Sequence, residues 1–143
     1  MTKRLSFLVV FSLVSVYLEV PSFAGDSNSS SGRRLTELMA IHSQGVAHEL
    51  GRNVPVNYPA AARWYERGAN LGFADSQNDL AKLYENGRGV PQDNVRAYYW
   101  YTLAIAGGNG NAVVNRNLLT KRMDVDQIAV AEQWVRAKVS EPE

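Results

Sequence analysis

The chain has 143 residues, 45% of them hydrophobic and 20% charged, with a formal net charge of +1. That is enough for a single domain with a modest core. A charge this close to zero offers no excess of Lys and Arg for counterion release and argues against nucleic acid as a partner. It also gives no pull towards anionic lipid. The chain has no cysteine, which excludes a disulfide framework and a cysteine-linked lipid anchor, so stability must come from packing alone.

In chain order, Lys3 and Arg4 precede the apolar run Leu5 to Val20 (LSFLVVFSLVSVYLEV), and Ser22 and Ala24 follow it. A basic start, an apolar stretch and small residues at the third and first positions before a cut describe a secretory signal peptide over 1–24. The run is shorter than the roughly 20 residues that span a bilayer, so cleavage after Ala24 is expected rather than a retained anchor. Cleavage would remove Lys3, Arg4 and Glu19 and leave the charge balanced. The expected location is therefore outside the inner membrane, in a periplasm, with no membrane contact after cleavage. Residues 25–34, which include Asp26 to Arg34 (DSNSSSGRR), are small, polar and without periodicity and read as a flexible linker.

From residue 35 the pattern turns helical. Helices are expected near 35–50, 58–71, 74–86, 94–106, 110–122 and 125–139. Leu80, Ala81, Leu83 and Tyr84 fall on one stripe at three- and four-residue spacing, as do Ala97, Trp100, Tyr101 and Ala104. Asn57 and Asp93 stand where an N-cap belongs. Glycines at 87/89 and 107/108 mark helix ends. The last helix opens after Asp124 and carries Val125, Ile128, Ala129, Ala131, Val135 and Val139 on its apolar side.

A shift of 36 residues lays Gly51-Arg52-Asn53-Val54-Pro55 on Gly87-Arg88-Gly89-Val90-Pro91. The same shift matches Trp64-Tyr65 with Trp100-Tyr101, Ala61 with Ala97 and Gly72 with Gly108. Such a period marks stacked helical hairpins, each unable to bury its apolar face alone. It also decides how Gly87-Arg88-Gly89 is read. A dinucleotide loop needs a third glycine where Gln92 stands, and a strand rather than a helix before it. The turn also recurs one period earlier, so it is a helix–helix connection.

The pattern Leu80-Ala81-x-x-Tyr84-x-x-Gly87-x-Gly89-Val90-x-x-Asp93-x-x-x-Ala97-x-x-Trp100-Tyr101-x-x-Ala104-x-x-Gly107 resembles the Sel-one-like repeat, a relative of the tetratricopeptide repeat. The upstream copy is weaker, with Gln44-Gly45-x-x-His48 for Leu-Gly-x-x-Tyr and Asn53 for the second glycine. The resemblance covers residues 36 to 139. It implies an all-α, short α/α superhelical solenoid over 35–139, with repeats at 38–73 and 74–109 closed by helices at 110–139.

That resemblance implies an interaction module, an adaptor, scaffold or regulator that binds another protein or a peptide segment. The first helix of each pair lines the inner face of such stacks. The implied contact positions are Asp75, Asn78, Lys82 and Glu85, and one repeat earlier Met39, His42, Val46 and Glu49. The repeat register expects Trp64, Tyr65, Trp100 and Tyr101 in the core, where Trp100→Ala would cost about 3–5 kcal/mol. Tyr98 and Tyr99 lie off that stripe and are the candidate exposed aromatics. A two-repeat stack has two exposed ends, which self-association or a larger partner would cover.

Enzyme chemistry finds no footing. His42 and His48 are six residues apart and face different sides of a helix, unlike ligands spaced by three or four. No nucleophile motif occurs, so no catalytic residue, metal or cofactor is expected. Two alternatives stay open: a protein that binds or weakly hydrolyses cell-wall fragments, and an accessory subunit of an envelope secretion or motility complex.

Overall fold

The computed structural model describes residues 29–141. The expected signal peptide at 1–24 lies outside the described residues, as do residues 25–28 of the expected linker. The described chain is six helices: α1 (Ser30–Leu50), α2 (Tyr58–Asn70), α3 (Ala74–Asn86), α4 (Asn94–Ala106), α5 (Gly110–Thr120) and α6 (Val125–Ser140). There is no strand among the described residues.

Helix α1 starts at Ser30, so the last five residues of the expected linker are helical. The Ser29 hydroxyl caps the helix by accepting from the Gly32 amide at 3.1 Å. A serine-rich stretch reads as loop in sequence, yet one of its serines at the N-cap is enough to start a helix. The other starts follow the expected chemistry. Asn57 accepts from Ala60 N, Asp93 from Arg96 N, and Asp124 forms a capping box with Gln127.

Helices α1 and α2 pair, α3 and α4 pair, and α2 packs on α3, which joins the repeats. Helix α5 continues the stack against α4. Helix α6 packs on α4 rather than closing a tight hairpin with α5. Only Ala131 of α6 is fully buried, with Ile128 against the core beside it. Val125 and Val139, expected on its apolar side, are 81% and 74% exposed because they lie at the two ends of the helix, beyond α4.

Alanines and tyrosines dominate the core. Ala61, Ala97, Tyr65, Tyr101, Leu80, Leu83 and Leu119 have essentially no exposed surface. The small residues let helices approach, and the rings fill the space between them. At Gly45 a Cβ would lie 2.4 Å from the Tyr65 ring, so α1 and α2 touch where only glycine fits. The tryptophans depart from expectation. Trp64 and Trp100 are half-buried, while their tyrosine neighbours take the centre. One residue along a helix turns the side chain by about 100°, so both members of a Trp-Tyr pair cannot point into one seam.

Candidate functional site

Helices α1, α3 and α5 lie side by side, and a groove with a cavity volume of about 580 Å³ crosses them. Its lining is polar: His42 from α1, Asp75, Asn78, Asp79 and Lys82 from α3, and Asn111 and Asn115 from α5, with Asn109 just before α5. Val114 is the one apolar residue among the lining side chains.

A chain of hydrogen bonds ties the three helices together along its floor. Asn115 Nδ2 donates to Asn78 Oδ1 at 3.0 Å, and Asn78 Nδ2 donates to Asp79 Oδ1 at 3.1 Å. Asp79 then meets His42 Nε2 at 3.0 Å and accepts from Lys82 Nζ at 2.9 Å. At the rim, Asn109 Nδ2 donates to Asp75 Oδ1 at 2.8 Å. The contact between α1 and α3 recurs one period later between α3 and α5, since Asn78 stands 36 residues after His42 and Asn115 36 after Asp79. The repeat thus sets the floor as well as the core.

Burial opposes the charge on Asp79, but hydrogen bonds from His42 and Lys82 outweigh it and hold the carboxyl below the usual range. A carboxyl whose pKa is lower folded than unfolded adds stability above its unfolded value of about 3.9 and loses it as pH falls through the folded value. Asp79→Asn is therefore expected to be less stable than the wild type at pH 7, with the gap closing below about pH 4. Urea midpoints for both proteins across that range would check this. A gap that stays constant into acid would show that Asp79 carries no linked charge.

Beside the groove, two bonds of equal length repeat. Tyr65 OH donates to Glu49 Oε2 and Tyr101 OH to Glu85 Oε2, both at 2.6 Å. Glu85 is also paired with Arg122 in the turn after α5. Burial first, and then the facing carboxylate, push both phenols far above the ordinary tyrosine range, so both stay protonated donors.

Four expected contact residues, His42, Asp75, Asn78 and Lys82, come together in the groove. Asn78 is only 6% exposed, so it belongs to the floor rather than to an open surface. The other four do not line it. Glu49 and Glu85 are turned to the tyrosine hydroxyls, Val46 packs against the core, and Met39 stands 57% exposed outside the cavity. Tyr98 is not an exposed aromatic: it is 7% exposed, in the core between α4 and α6, with its hydroxyl towards Glu132. Tyr99 is half-buried against Trp100 and Trp134.

Sequence reasoning missed Asp79, Asn109, Asn111, Val114 and Asn115. One further 36-residue step would have found most of them. Asp75, Asn78 and Asp79 step to Asn111, Val114 and Asn115, and the repeat therefore continues into α5. Among the described residues there is no group of three or more His, Cys, Asp or Glu that could hold a metal ion. None of the described helices is long and apolar enough to cross a membrane.

Paired helices stacked in register, with a groove across the first helix of each pair, define a short α/α solenoid. The family of the repeat follows from comparison. The Sel1 repeat model matches residues 39–73 and 74–109, two consecutive stretches. It is similar to the crystal structure of a Sel1 repeat protein from Oxalobacter formigenes, at 36% identity and a TM-score of 0.55, over 56% of this chain and 60% of that one. It is also similar to a protective antigen of uropathogenic Escherichia coli strains that displays an SLR fold. There the identity is 25% and the TM-score 0.66, over 78% of this chain and 27% of that one. This chain thus spans less than two thirds of either relative. A search of curated proteins gave no match. Sel1 repeats are a scaffold type and generally serve as protein–protein interaction modules.

Proposed function

We propose that this protein is an exported binding module that holds a segment of a partner protein in the groove across α1, α3 and α5. The observation that carries this reading is the groove floor, a fixed row of amides and one internally satisfied carboxylate drawn from three helices. Asp79 is already paired with His42 and Lys82, so the floor offers no unpaired charge to capture an isolated ion. Asparagine side chains carry a donor and an acceptor each and match the groups of a polypeptide main chain. A pre-organised floor also lowers the entropy cost of binding. Export to the periplasm of a Gram-negative bacterium is part of the proposal and rests on the basic, apolar and small-residue order of residues 1–24.

Photocrosslinking tests the reading. A crosslinking side chain at Lys82 or Asn111, both exposed in the groove, is expected to join one discrete protein from the envelope fraction. The same group at Arg63, exposed on α2 and outside the groove, should not. Asn111→Tyr would fill the cavity and is expected to weaken capture through Lys82 at least about tenfold, the loss of a well-placed interface contact. Equal capture from Arg63, or retention of muropeptide with no protein, would overturn the proposal.

A further inference from the structure

A second surface shares no lining residue with the groove. It lies where α4 and α6 meet the end of α2, and it consists of two adjoining clefts. The first, of about 390 Å³, is lined by Ala69, Asn70, Gly72, Gln77, Tyr99, Trp100, Leu103, Gly107 and Lys138. The second, of about 310 Å³, is bounded chiefly by Tyr99, Trp134 and Glu141. Tyr99 and Lys138 belong to both.

The aromatic geometry is specific. Tyr99 meets Trp100 at 4.9 Å between ring centroids with the planes 70° apart, and it meets Trp134 at 6.3 Å with the planes 78° apart. Each cleft is therefore a corner of two nearly perpendicular rings. All three rings stay partly open, Trp134 at 41% exposure. Ring faces carry the negative part of the aromatic quadrupole, and cations lodge against such corners.

Independent features make the first cleft electron-rich. Its wall includes the last turn of α2 and the end of α4, the negative poles of those helices. Gln77, only 6% exposed, gives its Nε2 to the Ala69 carbonyl at 3.1 Å, while its Oε1 has no hydrogen-bond partner. An amide oxygen left unpaired in a low-dielectric wall adds to the negative potential there. The acid Glu141 edges the second cleft. The single cation at the site is Lys138, which is itself held by Glu141 at 2.8 Å.

We infer that this cleft is a second docking site, which takes an arginine side chain of a partner protein. Arginine fits better than lysine because its planar guanidinium stacks on indole and phenol faces while its fork of N–H groups still reaches acceptors. Lys138 acts as a local competitor: it lines both clefts and already occupies Glu141, so an incoming guanidinium competes with its ammonium for that carboxylate. The site leaves the groove across α1, α3 and α5 free, so the two surfaces can engage different segments of one partner.

The three tryptophans make the test self-controlled, since Trp64 lies outside both clefts. The intact protein, with its indole N–H groups followed by NMR, is titrated with acetyl-Gly-Arg-Gly-amide and with the same peptide carrying norleucine or glutamate. The Trp100 and Trp134 signals are expected to move with the arginine peptide, with Trp64 unchanged. Binding should be about fivefold tighter than for norleucine, the weight of one cation–π contact. Lys138→Ala should tighten it, and Trp134→Ala, at an exposed position, should remove the shift of Trp100 only in part. Equal response to norleucine or glutamate, movement of Trp64 alongside the others, or weaker binding by Lys138→Ala would overturn the assignment.

Discussion

Tyr101→Ala is expected to destabilise the protein by about 3–5 kcal/mol, the range for emptying a large aromatic site in a core. Tyr101 has no exposed surface and stands among Ala97, Ala104, Leu80 and Leu83 in the one continuous cluster of buried residues. Small neighbours of this kind cannot collapse into the space that the ring leaves. The hydroxyl adds a separate contribution. In Tyr101→Phe the ring stays, but Glu85 loses its donor at 2.6 Å and keeps only Arg122, so about 2 kcal/mol is expected, the value for a hydrogen bond to a charged group. Urea unfolding with an unchanged slope would read both. A loss below about 1 kcal/mol for Tyr101→Ala would remove Tyr101 from the core. Trp100→Ala, which the repeat register placed in the same class, should cost clearly less, since part of that side chain already meets solvent.

Gly89→Ala is the second large effect, at about 3 kcal/mol, with about 1 from backbone strain and about 2 from overpacking. Gly89 has φ of 71°, in the left-handed region, and an added Cβ would lie 2.3 Å from the Tyr58 carbonyl carbon and 2.6 Å from Pro59 N. Those atoms are backbone at the start of α2 and cannot rotate away. The turn after α3 is therefore pressed against the preceding repeat. The matching position one repeat earlier is Asn53, which adopts the same conformation at φ of 61° with its side chain in place. Asparagine tolerates this region better than other residues with a side chain. Asn53→Gly is accordingly expected to change stability by less than about 0.5 kcal/mol, the usual range for exposed sites. If Gly89→Ala proved equally mild, the contact between the turn and α2 would be wrong.

This pair of positions also shows what could be read in advance. The 36-residue period made the turn legible as a turn, and the caps at Asn57 and Asp93 followed from local chemistry alone. The difference between glycine and asparagine at its second position looked like a weakened motif. In the structure it marks which turn carries a neighbouring helix, and that contact lies 31 residues away in sequence, between Gly89 and Tyr58.

The groove divides in the same way. His42, Asp75, Asn78 and Lys82 were placed by the register of the first helices, because a helix fixes its faces through its own spacing. Glu49 and Glu85 share that register yet serve the tyrosines of the paired helix, which no single-helix pattern contains. Asn111 and Asn115 stayed hidden because the repeat in α5 has lost its aromatic and glycine landmarks while keeping its polar positions. Tyr98 was misplaced for a related reason. Its burial depends on α6 lying across α4, and the segment after α5 holds no repeat landmark to announce that packing.

By itself, then, the sequence determined the helices, their turns and the order in which they stack, since caps, glycines and a 3.6-residue apolar rhythm act within a few residues of one another. Tertiary structure decided which member of each Trp-Tyr pair is central, which acids face the groove, and where α6 comes to rest. Those outcomes depend on neighbours brought together from distant parts of the chain, where space and unpaired polar groups select among side chains that local pattern treats alike.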